Sequence, residues 1–466
     1  MKILLVRSPR IKQAITLSDF MFSEPLGLEM ICGALKDEHE VEIFDMMVET
    51  TGLRKKINEY KPSLVGITSL CIDVTKVLEL CKEVKEIDIS IITVVGGTQT
   101  YLNPEGFYSD NVDYIFEYTT KDNINEFFCS VNKGETALID GIRSRGLSYE
   151  STGQMGRNEY ILPDRSATEK YRHEYSYFGY RPAAIMEFGT GCEKACDFCL
   201  RWRIEGVKEK LIYTELIKKD LINIKEPTIM FIDNDFLGSE EKITAFIGVV
   251  KSLNLKKNYI MYGSVKGVIA YEKYLKELSE MGLKALLIGY ETFSDDELYA
   301  YHKKSSTDDN LKASEILRKH RIDVWASFMA HPDWDKNNFK SLRGYIKKLK
   351  PQITSISPLT PFPNLPMYKA YEDRLLYVKE DYEKWSFGQV MIRPSKISLK
   401  AYYYELLKTN LYVNIFLNKN TEMIKKFGVI NILRILKGSL KAVKKYIIYN
   451  TKSGLFTGRL HAENLP

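Results

Sequence analysis

Short apolar runs alternating with helical patterns set the architecture open to this 466-residue chain. In the N-terminal third the runs are Ile3 to Val6, Val41 to Phe44, Leu64 to Ile67, Ile91 to Val95 and Val112 to Phe116. Continuous apolar runs of this length, separated by helices, are the pattern of parallel strands joined by crossover helices. Residues 1–145 are therefore expected to form a doubly wound, Rossmann-like α/β domain. Ser23 is the expected cap of the first helix, Pro25 suits its first turn, and Leu26, Met30 and Leu35 fall on its inner side. Ligands of such sheets sit beyond the carboxyl ends of the strands, which singles out Ser69, Leu70 and Cys71, and Gly96, Gly97 and Thr98 through Thr100. A glycine pair there either admits a ligand close to the backbone or only ends a strand.

Residues 146–182 are polar and aromatic with turn signals and read as a linker. The alternation then resumes with Ala183 to Phe188, Thr228 to Ile232, Tyr259 to Tyr262, Ala285 to Gly289, Val324 to Met329 and Ile353 to Ile356. Intervening helices are expected at Thr214 to Ile224, capped by Thr214, and at Tyr271 to Met281, ended by Gly282. Six such units are too few to close an eight-stranded barrel, but right-handed crossovers still bring every strand end to one face, where barrel enzymes carry their chemistry.

The first of these units leads into Gly189-Thr190-Gly191-Cys192-Glu193-Lys194-Ala195-Cys196-Asp197-Phe198-Cys199, three thiols within eight residues. Steps of four and three could place them on one helix face, but glycines on both sides of Thr190 oppose a helix. Structural zinc usually takes four closed ligands, and no second Cys pair or His partner follows. Spacings of this kind also wrap a loop around a cubane iron–sulfur cluster, supplying three ligands and leaving one iron open.

Cys192-x3-Cys196-x2-Cys199, with aromatic Phe198 before the last thiol, resembles the signature of the radical S-adenosylmethionine (SAM) superfamily. The resemblance implies a 4Fe-4S cluster held by Cys192, Cys196 and Cys199, whose open iron chelates SAM, in a partial (β/α)6 barrel over 183–395. Gly289-Tyr290-Glu291-Thr292 is similar to the family's Gly-x-Glu-Ser segment, which implies a SAM contact for Glu291; Phe198, Asp233 and Ser264 are further SAM candidates. The two carboxylates of Asp233-Asn234-Asp235 could instead belong to a solvated capping turn. His331 in Met329-Ala330-His331-Pro332 is an acid–base candidate or a structural histidine.

Glu24-Pro25-Leu26-Gly27-Leu28, Leu64 to Ser69 and Val94-Val95-Gly96-Gly97 resemble, in order, the cobalamin-binding domain that precedes the barrel in one subgroup, and Thr360-Pro361-Phe362-Pro363-Asn364-Leu365-Pro366-Met367-Tyr368, after the sixth strand, resembles the Thr-Pro-x-Pro-Gly-Thr-Pro-x-Tyr segment of the same cobalamin-type members. By that resemblance Ser69, Leu70, Gly96, Gly97 and Thr98 form the cobalamin face. The chain departs from the pattern in lacking Asp-x-His-x-x-Gly, so no histidine ligand comes from that motif, and in reading Glu117-Tyr118-Thr119-Thr120-Lys121 where the family has Gly-Glu-Gly-Glu. Class B radical SAM methyltransferases of this subgroup methylate cob(I)alamin with one SAM and use a second to generate a 5'-deoxyadenosyl radical. The implied activity is C-methylation of an unactivated carbon in a small-molecule or lipid-like substrate, with an electron donor such as flavodoxin or ferredoxin. The alternatives are a cyclase, oxidoreductase or carbon–carbon coupling enzyme on a lipid-like or tetrapyrrole substrate, the N-terminal domain being a scaffold, and, in another class, a non-catalytic iron–sulfur redox sensor. Cys32, Cys71 and Cys81 could hold a second cluster or be buried thiols.

Seven cysteines, three of them in one loop, give no disulfide framework, and no apolar run approaches a signal peptide or a membrane span, so a cytoplasmic protein is expected. The net charge of +6 is unevenly spread: residues 400–452 hold eleven Lys or Arg against two Glu, an excess of nine, leaving the rest net negative by three. Within the helical C-terminal segment, 396–466, Val429, Leu433, Leu436, Leu440, Val443 and Ile447 form one apolar stripe beside Arg434, Lys437, Lys441, Lys444 and Lys445. Such a helix either closes the open side of the barrel or meets an anionic membrane; nucleic acid is not the expected partner.

Overall fold

The computed structural model describes residues 1–10, 21–135, 138–146, 156, 158–417 and 420–451; parts of the expected linker and of the C-terminal segment lie outside them. The N-terminal sheet contains β1 (Lys2–Arg7), β2 (Glu40–Asp45), β3 (Leu64–Thr68), β4 (Ile92–Gly96), β5 (Tyr114–Phe116) and β6 (Ile142–Ser144). Their order is β2-β1-β3-β4-β5-β6, parallel except for the antiparallel β6 at the edge. The chain order reverses between β1 and β3, which makes the carboxyl ends of those strands the ligand crevice of a sheet of this kind. One apolar core, with Leu4, Val6, Val65 and Val95, packs on one face of the sheet; a second, with Ile3, Leu5, Leu64 and Phe127, packs on the other. This is the expected Rossmann-like arrangement.

The second sheet contains β7 (Ala183–Met186), β8 (Thr228–Phe231), β9 (Asn258–Gly263), β10 (Leu283–Glu291), β11 (Asp323–Ala330) and β12 (Ile353–Pro358). These six pair in sequence order, all parallel, from β7 at one edge to β12 at the other. The result is a partial barrel whose helices bury Ile217, Leu221, Phe246, Leu275 and Leu317 on its outside.

Local details differ from expectation. Ser23 does not cap the first helix, Leu26–Leu35; Pro25 occupies the cap position, and the Ser23 carbonyl accepts from Arg7 instead (2.6 Å). Thr214 is the first residue of its helix, Thr214–Asn223, with Tyr213 at the cap and no side-chain bond there. Gly282 does end its helix in the left-handed conformation (φ 119°), where a side chain would be strained. The expected apolar C-terminal stripe does not close the barrel. In the helix Asn420–Thr451, Phe427 and Tyr446 are buried, while Val429, Leu433, Leu436 and Leu440 are exposed.

A buried ion cluster joins the two sheets through the linker. Arg165 donates to Asp220 (2.8 and 2.7 Å), to Glu29 (3.2 Å) and to Glu24, and Arg172 donates to Glu24 (2.6 Å) and meets Glu226 (3.1 Å). Glu24 also accepts from the Ile185 amide of β7 (3.0 Å). Burial and the neighbouring Glu24 push Glu29 up to about 8 despite both arginines. Charges withdrawn from water this completely hold their partners in place, because loss of either side leaves an uncompensated buried charge.

Candidate functional site

The cysteine loop leaves β7 and reaches the helix Arg201–Glu205. Gly189–Thr190 pairs antiparallel with Lys210–Leu211, which pins the start of the loop. Gly191 has φ 86°, and a Cβ there would lie 1.9 Å from the Lys208 carbonyl oxygen, so only glycine fits. The Cys192 amide donates to Gly206 O (3.1 Å), the Cys199 amide to Cys196 O (3.0 Å), and Trp202 Nε1 also to Cys196 O (2.9 Å). The three thiols thus come from a fixed backbone and share one electrostatic neighbourhood.

Burial pushes Cys196 up to about 11 and raises Cys199, whose sulfur is partly compensated by the Arg201 amide. Bare thiols in such a place stay protonated near neutral pH, and a bound metal centre is what makes them thiolates. Among the described residues, no three His, Cys, Asp or Glu side chains are gathered as a single-ion site. The donor set is three thiols, with the nearby Glu291 committed to a lysine. This set fits a three-ligand cubane cluster.

Glu291 ends β10 in the left-handed region (φ 64°), at a register shift in the pairing with β11. A non-glycine residue with that backbone is strained, and such strain collects at functional sites. Its buried carboxylate pairs with Lys303 Nζ (2.5 Å), and Lys303 lies over the Phe198 ring (5.8 Å). Burial pulls Lys303 down, but Glu291 and the thiols outweigh it and hold the ammonium above its usual value. Phe198 meets Tyr301 edge-on (5.8 Å). Glu291, Phe198 and the cysteines are therefore one constellation, with Lys303 and Tyr301 added.

Asp233 and Ser264 stand differently. Asp233 is buried beside Lys242 (3.5 Å) and accepts from the Phe188 amide (2.9 Å), so it tethers the end of β7 to that of β8. Burial pushes it up to about 6, against the pull of Lys242. The Ser264 hydroxyl caps the helix Val265–Ala270 through Gly267 N (3.0 Å), and its amide donates to Asp235 (2.9 Å). Asp235 also pairs with Lys194 of the cysteine loop. This turn is neither solvated nor open: it braces the loop.

On the N-terminal sheet the expected cobalamin residues do converge. The Ser69 amide donates to Gly96 O (2.8 Å), its carbonyl accepts from Gln99 N (3.2 Å), and Thr98 starts the short helix Thr98–Leu102. Gly97 has φ 108°, and a Cβ there would sit 2.7 Å from Thr68 Oγ1 and 2.8 Å from Ser69 O. Leu70 projects from this surface, 43% exposed. A bare backbone ledge with an exposed leucine at the crevice suits a large, flat, partly apolar ligand such as a corrinoid, and none of the residues named on this ledge is a histidine.

The two faces meet. The helix Thr98–Leu102 lies against the helix Arg201–Glu205, and Asn364, in the proline-rich segment after β12, donates to Leu102 O (2.6 Å). Cys71, after β3, and Phe198, in the cysteine loop, pack against the same apolar cluster, which includes Tyr301, Leu359, Phe362, Met367, Trp385 and Met391. Cys71 is therefore in an apolar setting, while Cys32 and Cys81 are buried in separate cores. Burial pushes each of these three thiols up to about 12. All seven cysteines are free.

His331 Nδ1 accepts from the Asp333 amide (3.1 Å), which puts its proton on Nε2, facing the Tyr371 hydroxyl (3.0 Å); burial lowers its affinity for a second proton. Glu187, directly after β7, is pushed up to about 7 by burial although Arg201 opposes it. The sequence reading missed Lys303, Tyr301 and Glu187. Tyr301 and Lys303 lie ten and twelve residues past Glu291, and only the fold returns them to it.

The sequence matches the family model described as B12 binding domain over residues 14–124 and that of the radical SAM superfamily over 186–346. Among curated relatives, hopanoid C-3 methylase of Methylococcus capsulatus is 25% identical over 398 residues, covering 84% of this chain and 76% of that protein. Anaerobic magnesium-protoporphyrin IX monomethyl ester cyclase of Rubrivivax gelatinosus is 23% identical over 432 residues, covering 85% and 74%. Among solved structures, the radical SAM methyltransferase TsrM of Kitasatospora setae, with cobalamin and a [4Fe-4S] cluster bound, superposes with a TM-score of 0.70 at 14% identity, covering 97% of this chain and 99% of that one. The two domain types bring a 4Fe-4S cluster, SAM and cobalamin as cofactors, together with a small-molecule substrate and a reductant. The chain therefore carries a B12-binding domain followed by a radical SAM domain, and is an enzyme of the radical SAM class.

Proposed function

We propose that this protein is a cobalamin-dependent C-methyltransferase acting on an unactivated carbon of a largely apolar small molecule. The observation that carries the reading is the shared apolar cluster against which both Cys71, beside the ledge, and Phe198, in the cysteine loop, are packed. When bound, the cluster with SAM supplies a hydrogen-abstracting radical, and the corrinoid supplies a carrier for the methyl group.

The chain's own residues orient and shield. Cys192, Cys196 and Cys199 hold the cluster on a loop braced by the Lys194–Asp235 pair and by Asp233. Glu291 and Lys303 present an anion and a cation side by side, suited to the ammonium and carboxylate of one amino-acid end. Ser69, Leu70, Gly96, Gly97 and Thr98 offer the ledge for the corrinoid. The apolar cluster keeps water from the reacting carbon, which protects a radical from side reactions. Tyr301, buried beside Phe198 and with no hydrogen-bond partner for its hydroxyl among the described residues, is placed to meet a polar group of the substrate.

The likeness to a cyclase supports a second reading, ring formation without methyl transfer. Turnover with SAM deuterated in its methyl group separates the two. Methylation predicts S-adenosylhomocysteine and 5'-deoxyadenosine together, with the label in the product; cyclisation predicts 5'-deoxyadenosine alone.

A further inference from the structure

The helix Asn420–Thr451 departs from helical dihedrals at Gly428 (φ 76°, ψ 159°). Among the described residues it meets the linker, the start of β11 and the helix Leu399–Leu411. Phe427 meets Tyr180 edge-on (5.1 Å), Asn431 donates to Gly179 O (3.1 Å), Lys426 pairs with Asp323, and Tyr446 approaches Tyr403 (6.2 Å). Away from these contacts Val429, Ile430, Leu433, Leu436 and Leu440 are 61, 70, 58, 51 and 67% exposed. At about 100° per residue, Val429, Leu433, Leu436 and Leu440 share an arc of about 60°. Exposed Lys437 and Lys444 lie along one side of that arc.

We infer that this stripe is a docking surface for an anionic lipid bilayer, the helix lying in the plane of the headgroups. Apolar side chains in one narrow arc with lysines at its edge are what an interfacial helix presents, leucines toward the acyl boundary and ammonium groups toward the phosphates. Charge favours this occupant. The excess of nine positive charges in residues 400–452 stands against a net negative remainder, so the attraction to an anionic surface is concentrated where the stripe is exposed. A second copy of the chain fits less well, since a two-fold contact through this face would bring the lysine flanks toward one another. The helix does not span: among the described residues none is long and apolar enough to cross a membrane. This inference is independent of the methyl-transfer reading, and its test needs neither SAM nor corrinoid.

The test is co-sedimentation of the full chain with vesicles of phosphatidylcholine alone and of phosphatidylcholine containing phosphatidylglycerol. Binding is expected to the anionic vesicles, weaker binding to the neutral ones, and a decline with salt as the Debye length shortens. Leu433→Ser, Leu436→Ser and Leu440→Ser together should weaken binding at least about tenfold, because three leucines leave the acyl boundary. Lys437→Gln with Lys444→Gln should reduce the salt dependence. All five positions are exposed, so circular dichroism should stay unchanged; should the triple variant misfold, quenching of Leu436→Trp fluorescence by brominated lipid reads the same contact. No binding to anionic vesicles at low salt, no quenching, or binding indifferent to the leucines overturns the inference. So does a wild-type dimer that the leucine changes dissociate.

Discussion

Replacing Gly289 by alanine tests the assignment of Glu291 without touching a cysteine. A Cβ at Gly289 would lie 2.0 Å from Glu291 Oε1 and 2.9 Å from Lys303 Nζ, whereas ordinary contact starts at 3.4 Å. The carboxylate must retreat by the difference between 3.4 and 2.0 Å, about 1.4 Å, and its 2.5 Å pairing with Lys303 must rotate or open. Gly289 is not among the glycines at positive φ, so alanine is acceptable to the backbone and the disturbance is confined to the pair. A misplacement of about 1 Å at a positioning group can lower a rate roughly 100-fold, or about 2.7 kcal/mol of barrier. With the cluster reconstituted and excess dithionite, 5'-deoxyadenosine formation by Gly289→Ala should fall by about that factor and SAM binding should weaken. Iron and sulfide content should remain that of the unaltered protein. Wild-type cleavage rate and SAM affinity in a variant that keeps its cluster would refute the role given to Glu291 and Lys303.

Three further outcomes are expected. Gly97→Ala forces a side chain into φ 108° and against Thr68 and Ser69, so the protein should lose its bound corrinoid, read from its visible absorbance, while still cleaving SAM. Arg165→Met leaves Glu24 and Asp220 without their shared cation and should lower stability to urea by about 3–5 kcal/mol at pH 7; an unchanged denaturation midpoint would contradict the bracing role of this cluster. Glu187 is raised from 4.5 to about 7, so the folded state holds its proton more tightly than the unfolded chain. Its contribution therefore declines as pH rises through that window, by up to about 3 kcal/mol, and is level above it. Glu187→Gln should be the more stable protein at pH 8, and the two should converge near pH 4; equal denaturation midpoints at pH 8 would contradict the burial of that carboxyl.

What the sequence disclosed follows from how each feature is encoded. The strands of both sheets are buried on two faces and so appear as continuous apolar runs; β6, three residues long and antiparallel, leaves no such trace. The thiol spacing and the Glu291 segment are local and legible. Lys303 is remote from any motif, and its pairing exists only once β10 and the following loop are folded. Asp233 and Ser264 sit at the expected strand ends, but their bonds to Phe188 and Gly267 are set by neighbouring turns that no spacing rule describes. Ser23 and Thr214 were suitable cap types, yet Pro25 and Tyr213 hold the cap positions. The C-terminal stripe was visible as a period of about 3.6, which is the same for a buried and an exposed face. Packing, in which Phe427 and Tyr446 take part, decides which side turns inward.

The central claim is that the cysteine loop and the β3–β4 ledge each carry a cofactor beside the apolar cluster they share. Iron, sulfide and corrinoid should be quantified on one anaerobically reconstituted preparation supplied with cobalamin. About four iron and four sulfide per chain, lost when Cys192, Cys196 and Cys199 are changed to alanine, together with about one retained corrinoid, is the predicted result. A preparation that keeps its cluster and cleaves SAM but never retains corrinoid would contradict it.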